Sequence, residues 1–302
     1  MTDNNQDCVD ALGGNPAGTD APDARGGGGG QAGRRGQPPV YTEAEFLAEK
    51  YKMDHENRGM AVILNNRDFD RHTGMGTRTG TDVDASNIYQ NLKALGFTVE
   101  MHTNKTTGEM KKIMTEAAKK DFSNSDCFAC VILSHGEEGA VYGTNGPVEI
   151  KDLVDPFKGH RCQSLAGKPK LFFIQACRGQ GLDEGIDVSD ALGVKGDGDE
   201  DVEMAPVTYR IPTEADFLMA YSVVPGYFSW RNSSRGSWFI QALCAVLEKY
   251  GHKLDLMTMM TRVNKLVAYD FESNASKEFM NRKKQIPCIT SMLTKDLYFP
   301  PM

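Results

Sequence analysis

Leu171-Phe172-Phe173-Ile174 runs directly into Gln175-Ala176-Cys177-Arg178-Gly179. The first four residues are apolar, aromatic or β-branched and follow Pro169, the signature of a short buried strand. A thiol therefore stands where a core strand ends. A second run, Phe128-Ala129-Cys130-Val131-Ile132-Leu133, breaks off in the same way into Ser134-His135-Gly136. Active sites of open α/β sheets lie at the carboxyl ends of their strands. A thiol and an imidazole at equivalent strand ends thus decide both the fold class, α/β, and the place to look for chemistry.

Outward from these two strands, the pattern alternates. Met60 to Leu64 form another buried strand, and Thr81 is placed to cap a helix with Asp84 at the capping-box position. Ile88, Leu92 and Leu95 give that helix its apolar face, and Gly96 ends it. A strand over 97–101 follows, then a helix turning Met110, Ile113, Met114 and Ala117 inward. Further on come a strand over 217–224, helices over 238–250 and about 254–269, and a last strand over 286–299. The order describes one sheet with helices on both faces.

Two stretches break this pattern. Residues up to about Pro39 are rich in Gly, Asp, Asn and Pro and lack apolar periodicity, so a disordered tail is expected. Residues 180–207 hold nine acidic side chains and little that could fill a core. Such a segment inside a compact domain is functional or disordered.

Composition narrows the classes. A net charge of −7 argues against a nucleic-acid-binding surface. No apolar stretch approaches the ~20 residues of a membrane span, and the first residues lack the pattern of a signal peptide. The seven cysteines, without metal-ligand spacing, fit thiols kept reduced in the cytosol. Cys127 and Cys130 come closest, but strand alternation points them to opposite faces. No cofactor or metal is expected.

A cysteine at a strand end is commonly a buried thiol and a lone histidine commonly structural, so spacing alone leaves catalysis open. The local sequence adds more. Gln175 to Gly179 carry the caspase signature with a histidine upstream. Ser134-His135-Gly136-Glu137-Glu138-Gly139 resembles the caspase histidine loop. Gly76-Thr77-Arg78-Thr79-Gly80-Thr81-Asp82 and Tyr227-Phe228-Ser229-Trp230-Arg231-Asn232 resemble its two substrate loops. Lys284-Gln285-Ile286-Pro287-Cys288 resembles the lead into its dimer-forming strand. Over residues 41–302 the chain resembles an executioner caspase, of the branch holding caspase-three and caspase-seven.

The resemblance implies a three-layer sandwich around a six-stranded, mostly parallel sheet. It implies Cys177 as nucleophile, His135 as general acid and base, and the N–H groups of Gly136 and Cys177 as oxyanion hole. The carbonyl of Thr77 would orient His135. Arg78, Gln175 and Arg231 would form a pocket for an aspartate side chain, beside Ser229. Phe228, Trp230 and Phe279 would line an apolar second pocket, and Asn232 and Trp238 would hold a distal aspartate. Phe228 stands where a tyrosine is usual and Asn274 where caspase-three has an aromatic ring. Two guanidiniums around one carboxylate fit that pocket physically, because charge-assisted bidentate bonding is lost to any uncharged competitor.

The same resemblance makes the chain its own substrate. Asp187-Val188-Ser189-Asp190 and Asp20-Ala21-Pro22-Asp23 both have the form Asp-x-x-Asp. Cuts after Asp23 and Asp190 would leave a pro-peptide 1–23, a large subunit 24–190, a linker 191–207 and a small subunit 208–302. Expected partners are Asp-x-x-Asp protein substrates, an initiator caspase as activator, inhibitor-of-apoptosis-type proteins, and a second copy forming a homodimer. Neither nucleic acid nor membrane is expected. A catalytically silent homologue and an Arg- or Lys-specific relative such as a metacaspase are the rivals; the intact Cys177, His135, Arg78, Gln175 and Arg231 disfavour both.

Overall fold

The computed structural model describes residues 7–9, 42–184, 212–275 and 277–302. In chain order the strands and helices begin with β1 (Asp7–Val9), α1 (Glu43–Leu47), β2 (Asn57–Asn65), α2 (Thr81–Ala94), β3 (Thr98–Thr103) and α3 (Thr107–Ala118). Next come β4 (Ser125–Leu133), the small strands β5 (Gly136–Glu137), β6 (Ala140–Gly143) and β7 (Gly146–Glu149), and α4 (Ile150–Val154). Then follow β8 (Lys170–Gln175), β9 (Gly179–Gly181), β10 (Phe217–Tyr221), β11 (Gly226–Tyr227), β12 (Trp230–Asn232) and β13 (Gly236–Ser237). The chain closes with α5 (Trp238–Tyr250), α6 (Leu256–Asp270) and β14 (Cys288–Ser291).

Six strands form the central sheet in the order β14-β10-β8-β4-β2-β3. All neighbours are parallel except β14, which runs antiparallel on β10. Every residue of β4 and of β8 is buried, as expected of strands covered on both faces. Period-two alternation divides these strands between two cores. Ala129, Val131, Leu133, Leu171 and Phe173 pack with α2, α5 and α6. Phe128, Cys130, Ile132, Phe172 and Ile174 pack with α3 and α4 on the other face. Cys127 and Cys130 fall in different cores, as the alternation required. The result is the expected three-layer sandwich.

Two sequence expectations change. The last strand stops at Ser291 rather than 299, because β10 starts at Phe217 and offers nothing beyond it to pair with. Met292 N–H donates to the Phe217 carbonyl at 2.8 Å as the ladder ends. Asp216, at φ +68°, then ties the departing chain through Thr294 Oγ1 at 2.7 Å. Nor does Thr81 cap α2. Gly80 is the N-cap, in the left-handed region at φ +88°, and Thr81 is the first helical residue. The Thr81 hydroxyl instead accepts from Arg78 Nη1 at 2.7 Å and donates to Asn65 Oδ1 at 2.8 Å. Asp84 is likewise spent on a tertiary contact, accepting the Ser237 N–H at 2.8 Å.

The pro-peptide boundary at Asp23, the cut at Asp190 and the linker 191–207 all lie outside the described residues. Among the described residues no helix is long and apolar enough to cross a membrane.

Candidate active site

The parallel register between β4 and β8 places Leu133 opposite Gln175. His135 and Cys177 each lie two residues further, so both emerge at the same height on adjacent strands. The ladder extends by one bond, Ser134 N–H to the Gln175 carbonyl at 3.2 Å, before the two chains diverge. At Gly136 they nearly touch. A Cβ there would stand 2.7 Å from Ala176 Cβ and 2.9 Å from the Cys177 carbonyl oxygen, so only glycine fits. An ion pair between Arg178 Nη2 and Glu138 Oε1 at 2.8 Å joins the two loops again further out. Arg178 also lies over the Tyr221 ring, 4.1 Å from its centroid.

His135 is almost wholly buried, under the Phe69 ring at 4.7 Å between centroids. Its Nε2 is 2.7 Å from the carbonyl of Gly76. The orienting carbonyl is therefore one residue before Thr77, the one expected from the motif. A carbonyl only accepts, so Nε2 carries the proton and Nδ1 is the unprotonated nitrogen of the neutral ring. Burial, and then the Arg78 charge, push the imidazole down to about 4, against the raising effect of the Gly76 bond. At neutral pH the ring is therefore neutral, with one nitrogen able to accept a proton, though as a weaker base than an ordinary histidine.

Cys177 is fully buried at the end of β8. The Ser229 N–H lies 3.2 Å from its Sγ. Ser229 is itself fixed from below, since Gln175 Nε2 donates to its hydroxyl at 2.7 Å. The segment 227–232 is thereby held against the nucleophile's strand. Its far side is held by Gln285, whose Oε1 accepts the Trp230 N–H at 2.7 Å while its Nε2 donates to the Ser222 carbonyl at 2.6 Å. Ser222 in turn bonds the Ala176 backbone through its hydroxyl, at 3.0 and 3.3 Å. Motif reading noticed Gln285 only as part of the lead into the last strand, and passed over Ser222.

Arg78, Gln175 and Arg231 are buried together at this corner. Arg78 Nη1 donates to the Asn66 carbonyl at 3.2 Å and to Thr81 Oγ1, while Arg231 Nε donates to the Thr79 carbonyl at 2.7 Å. One loop, 76–81, therefore carries one guanidinium and anchors the other. Its close approach to 231–233 needs glycine, because a Cβ at Gly80 would meet the Asn232 carbonyl at 2.5 Å. Burying a guanidinium costs solvation energy, and a carboxylate bound at this corner would offset that cost.

Trp230 and Trp238 are buried and stacked with centroids 5.7 Å apart, and Trp238 stacks on Phe271 at 5.5 Å. Phe228 packs half-buried against the same core. Asn232 is buried, its Oδ1 taking the N–H groups of Ser234 and Arg235, each at 3.0 Å. Phe279 differs from expectation: it is 64 % exposed, and its neighbour Met280 is the residue buried in the core that holds both tryptophans.

Comparison with known proteins agrees with this architecture. The family model described as "Caspase domain" matches residues 58–298. Caspase-7 of Gallus gallus is 49 % identical over 251 residues, covering 83 % of this chain and 80 % of its own. Caspase-3 of Oryctolagus cuniculus is 51 % identical over 255 residues, covering 84 % and 88 %. The crystal structure of caspase-1 from Spodoptera frugiperda superposes with a TM-score of 0.78 at 45 % identity, covering 87 % of this chain and 96 % of that one. Fold, paired strand ends and sequence together establish that the chain belongs to the caspase family, in the executioner branch of caspase-3 and caspase-7: cysteine endopeptidases that cleave after aspartate, are made as zymogens and execute apoptosis.

Proposed function

We propose that Cys177 and His135 carry out peptide hydrolysis after the second aspartate of Asp-x-x-Asp sequences. The observation that carries this reading is the burial of Arg78, Gln175 and Arg231, with Gln175 bonded to the Ser229 that touches the thiol and Arg231 bonded to the loop that carries Arg78. That corner suits a carboxylate, and Gln175, two residues before Cys177 at the end of β8, suits the side chain just before the scissile bond. His135 takes the thiol proton, and the thiolate sulfur adds to the carbonyl carbon. The oxyanion is met by the N–H groups of Gly136 and Cys177, each such donor being worth roughly 10²–10³ in rate. The carbon–nitrogen bond then breaks, the imidazolium giving its proton to the departing amine. Water, deprotonated by the same imidazole, hydrolyses the thioester and restores the thiol.

Asn232 and Trp238 belong to the distal aspartate site, and Phe228 and Trp230 to the apolar pocket between. Activation proceeds by cleavage after Asp190, with Asp23 as a second cut, by an initiator caspase in the cytosol. Inhibitor-of-apoptosis-type proteins would compete for the same groove. Among the described residues no strand pairs with the outer edge of β14, where Thr290 and Ser291 are exposed, and this is the edge a second copy would pair in the family's homodimer. Turnover of an aspartate-terminated peptide, measured before and after linker cleavage, tests the whole reading. Activity should rise on cleavage, vanish in Cys177→Ala, and fail to rise in Asp190→Ala. Equal turnover of an arginine-terminated peptide would refute it.

A further inference from the structure

A strand from the far N-terminus lies in the region of this site. β1 (Asp7–Val9) pairs antiparallel with β12, with Asp7 opposite Asn232, Cys8 opposite Arg231 and Val9 opposite Trp230. β13 takes the other edge of β12, so β1 completes a three-stranded sheet in the order β1-β12-β13. Chain length does not force this choice. The 32 residues of the sequence between Val9 and Thr42 could extend about 105 Å at ~3.3 Å each, while a 302-residue globule has a radius of gyration of about 19 Å. Almost any point on the surface is within reach. The strand is nonetheless laid on the three residues that carry an aspartate-pocket arginine and the stacked tryptophan.

The register is informative too. One further step along β12 is Ser229, the residue whose N–H lies 3.2 Å from the Cys177 sulfur and whose hydroxyl accepts from Gln175. In the sequence, the residue after Val9 is Asp10, followed by the small Ala11. Asp7-Cys8-Val9-Asp10 is therefore a third Asp-x-x-Asp run, distinct from those ending at Asp23 and Asp190.

We propose that residues 7–10 are an intramolecular substrate: β1 docks on β12 by strand addition, and Cys177 of the same chain cuts the Asp10–Ala11 bond. This rests on the function proposed above. The thiolate adds to the Asp10 carbonyl carbon, the bond to the Ala11 nitrogen breaks, and that amine leaves with the proton held on His135. Water then releases Asp10 as a free carboxylate at the end of a ten-residue peptide. Until the cut, the segment competes with other substrates for the groove. A covalent link of 32 residues supplies an effective concentration on the order of 1 mM. A strand with a Kd of about 100 µM would then weaken the apparent affinity for an added peptide roughly tenfold.

The isolated full chain tests this. Self-processing is followed by intact mass and N-terminal sequencing at two concentrations a hundredfold apart, with turnover of an aspartate-terminated peptide measured on the same samples. A new N-terminus at Ala11, appearing at a concentration-independent rate and absent in Asp10→Glu while peptide turnover persists, is the expected result. A chain that turns over the peptide but keeps residues 1–10, or sheds them only in proportion to concentration, overturns the proposal and leaves the proposed function standing. A chain that turns over no peptide removes both. Occupancy is read separately by fluorescence polarisation of a labelled Asp-x-x-Asp peptide on Cys177→Ala. Deleting residues 1–10 from that variant should tighten binding about tenfold; equal binding refutes the competition.

Discussion

Gly136→Ala is the sharpest probe of how closely the two catalytic strands are pressed together. Gly136 adopts a backbone conformation open to any residue, so the cost of alanine is steric rather than conformational. Its new methyl would lie 2.7 Å from Ala176 Cβ, 2.9 Å from the Cys177 carbonyl oxygen and 3.0 Å from that of Ala140. Ordinary carbon contacts sit near ~3.5–4.0 Å, so about 0.8 Å or more must be found at the tightest of the three. None of the three obstacles is the end of a flexible side chain. The His135 loop and the Cys177 loop must therefore move apart. Overpacking of this kind costs about 1–3 kcal/mol of stability. Separation also draws the Gly136 N–H away from the oxyanion position, a loss worth roughly 10²–10³ in kcat. KM should change less than kcat, since Arg78 and Arg231 of the aspartate pocket stand on other loops. The assay is steady-state turnover of an aspartate-terminated peptide together with thermal unfolding. Gly159→Ala serves as control, because open space surrounds that position. A Gly136→Ala enzyme with kcat within threefold of the parent and unchanged melting would refute the close approach.

Two more outcomes follow from the buried polar groups. Arg231→Lys keeps the charge but loses the planar fork, of which Nε already serves the Thr79 carbonyl. With about 3 kcal/mol of charge-assisted bonding lost, kcat/KM on an aspartate-terminated peptide should fall about 10²-fold with circular dichroism unchanged; a drop under threefold would count against the pocket. Asp84 is fully buried, and burial pushes its carboxyl up to about 7 from 3.8, against the opposing Ser237 N–H bonds and the Arg78 charge. Between those values the unfolded chain has ionised Asp84 and the folded chain has not, so its contribution to stability falls as pH rises from about 4 to about 7 and then levels. Asp84→Asn should therefore gain stability relative to the parent across that window, by up to about 4 kcal/mol before any lost hydrogen bonding. A stability difference that stays constant from pH 5 to pH 8 in urea titrations would remove Asp84 as its source.

What the sequence could and could not disclose divides along one physical line. The sheet was legible because β4 and β8 are buried on both faces, and continuous apolar runs are what such strands require. His135 and Cys177 were legible because each breaks such a run abruptly. The errors come where a residue type serves equally well in two local roles. Thr81 followed by Asp84 looks like a cap, yet both side chains are drawn into longer-range bonds, to Asn65 and to Ser237. A hydroxyl or carboxylate cannot announce from its spacing which donor it will meet. The His135 partner was misplaced by one residue because it is a backbone carbonyl, and every residue of the loop 76–81 carries one. Phe279 is assigned to the apolar pocket by family resemblance alone, and such an assignment cannot foresee that the ring stays exposed while the neighbouring Met280 is buried. The N-terminal strand belongs to a different kind of oversight. Asp7-Cys8-Val9-Asp10 satisfies the same pattern that singled out residues 20–23 and 187–190. Four residues are too few to distinguish a docked substrate from a chance spacing of acids. What distinguishes them is the pairing partner, and in this chain the partner of β1 is the strand beside the aspartate pocket.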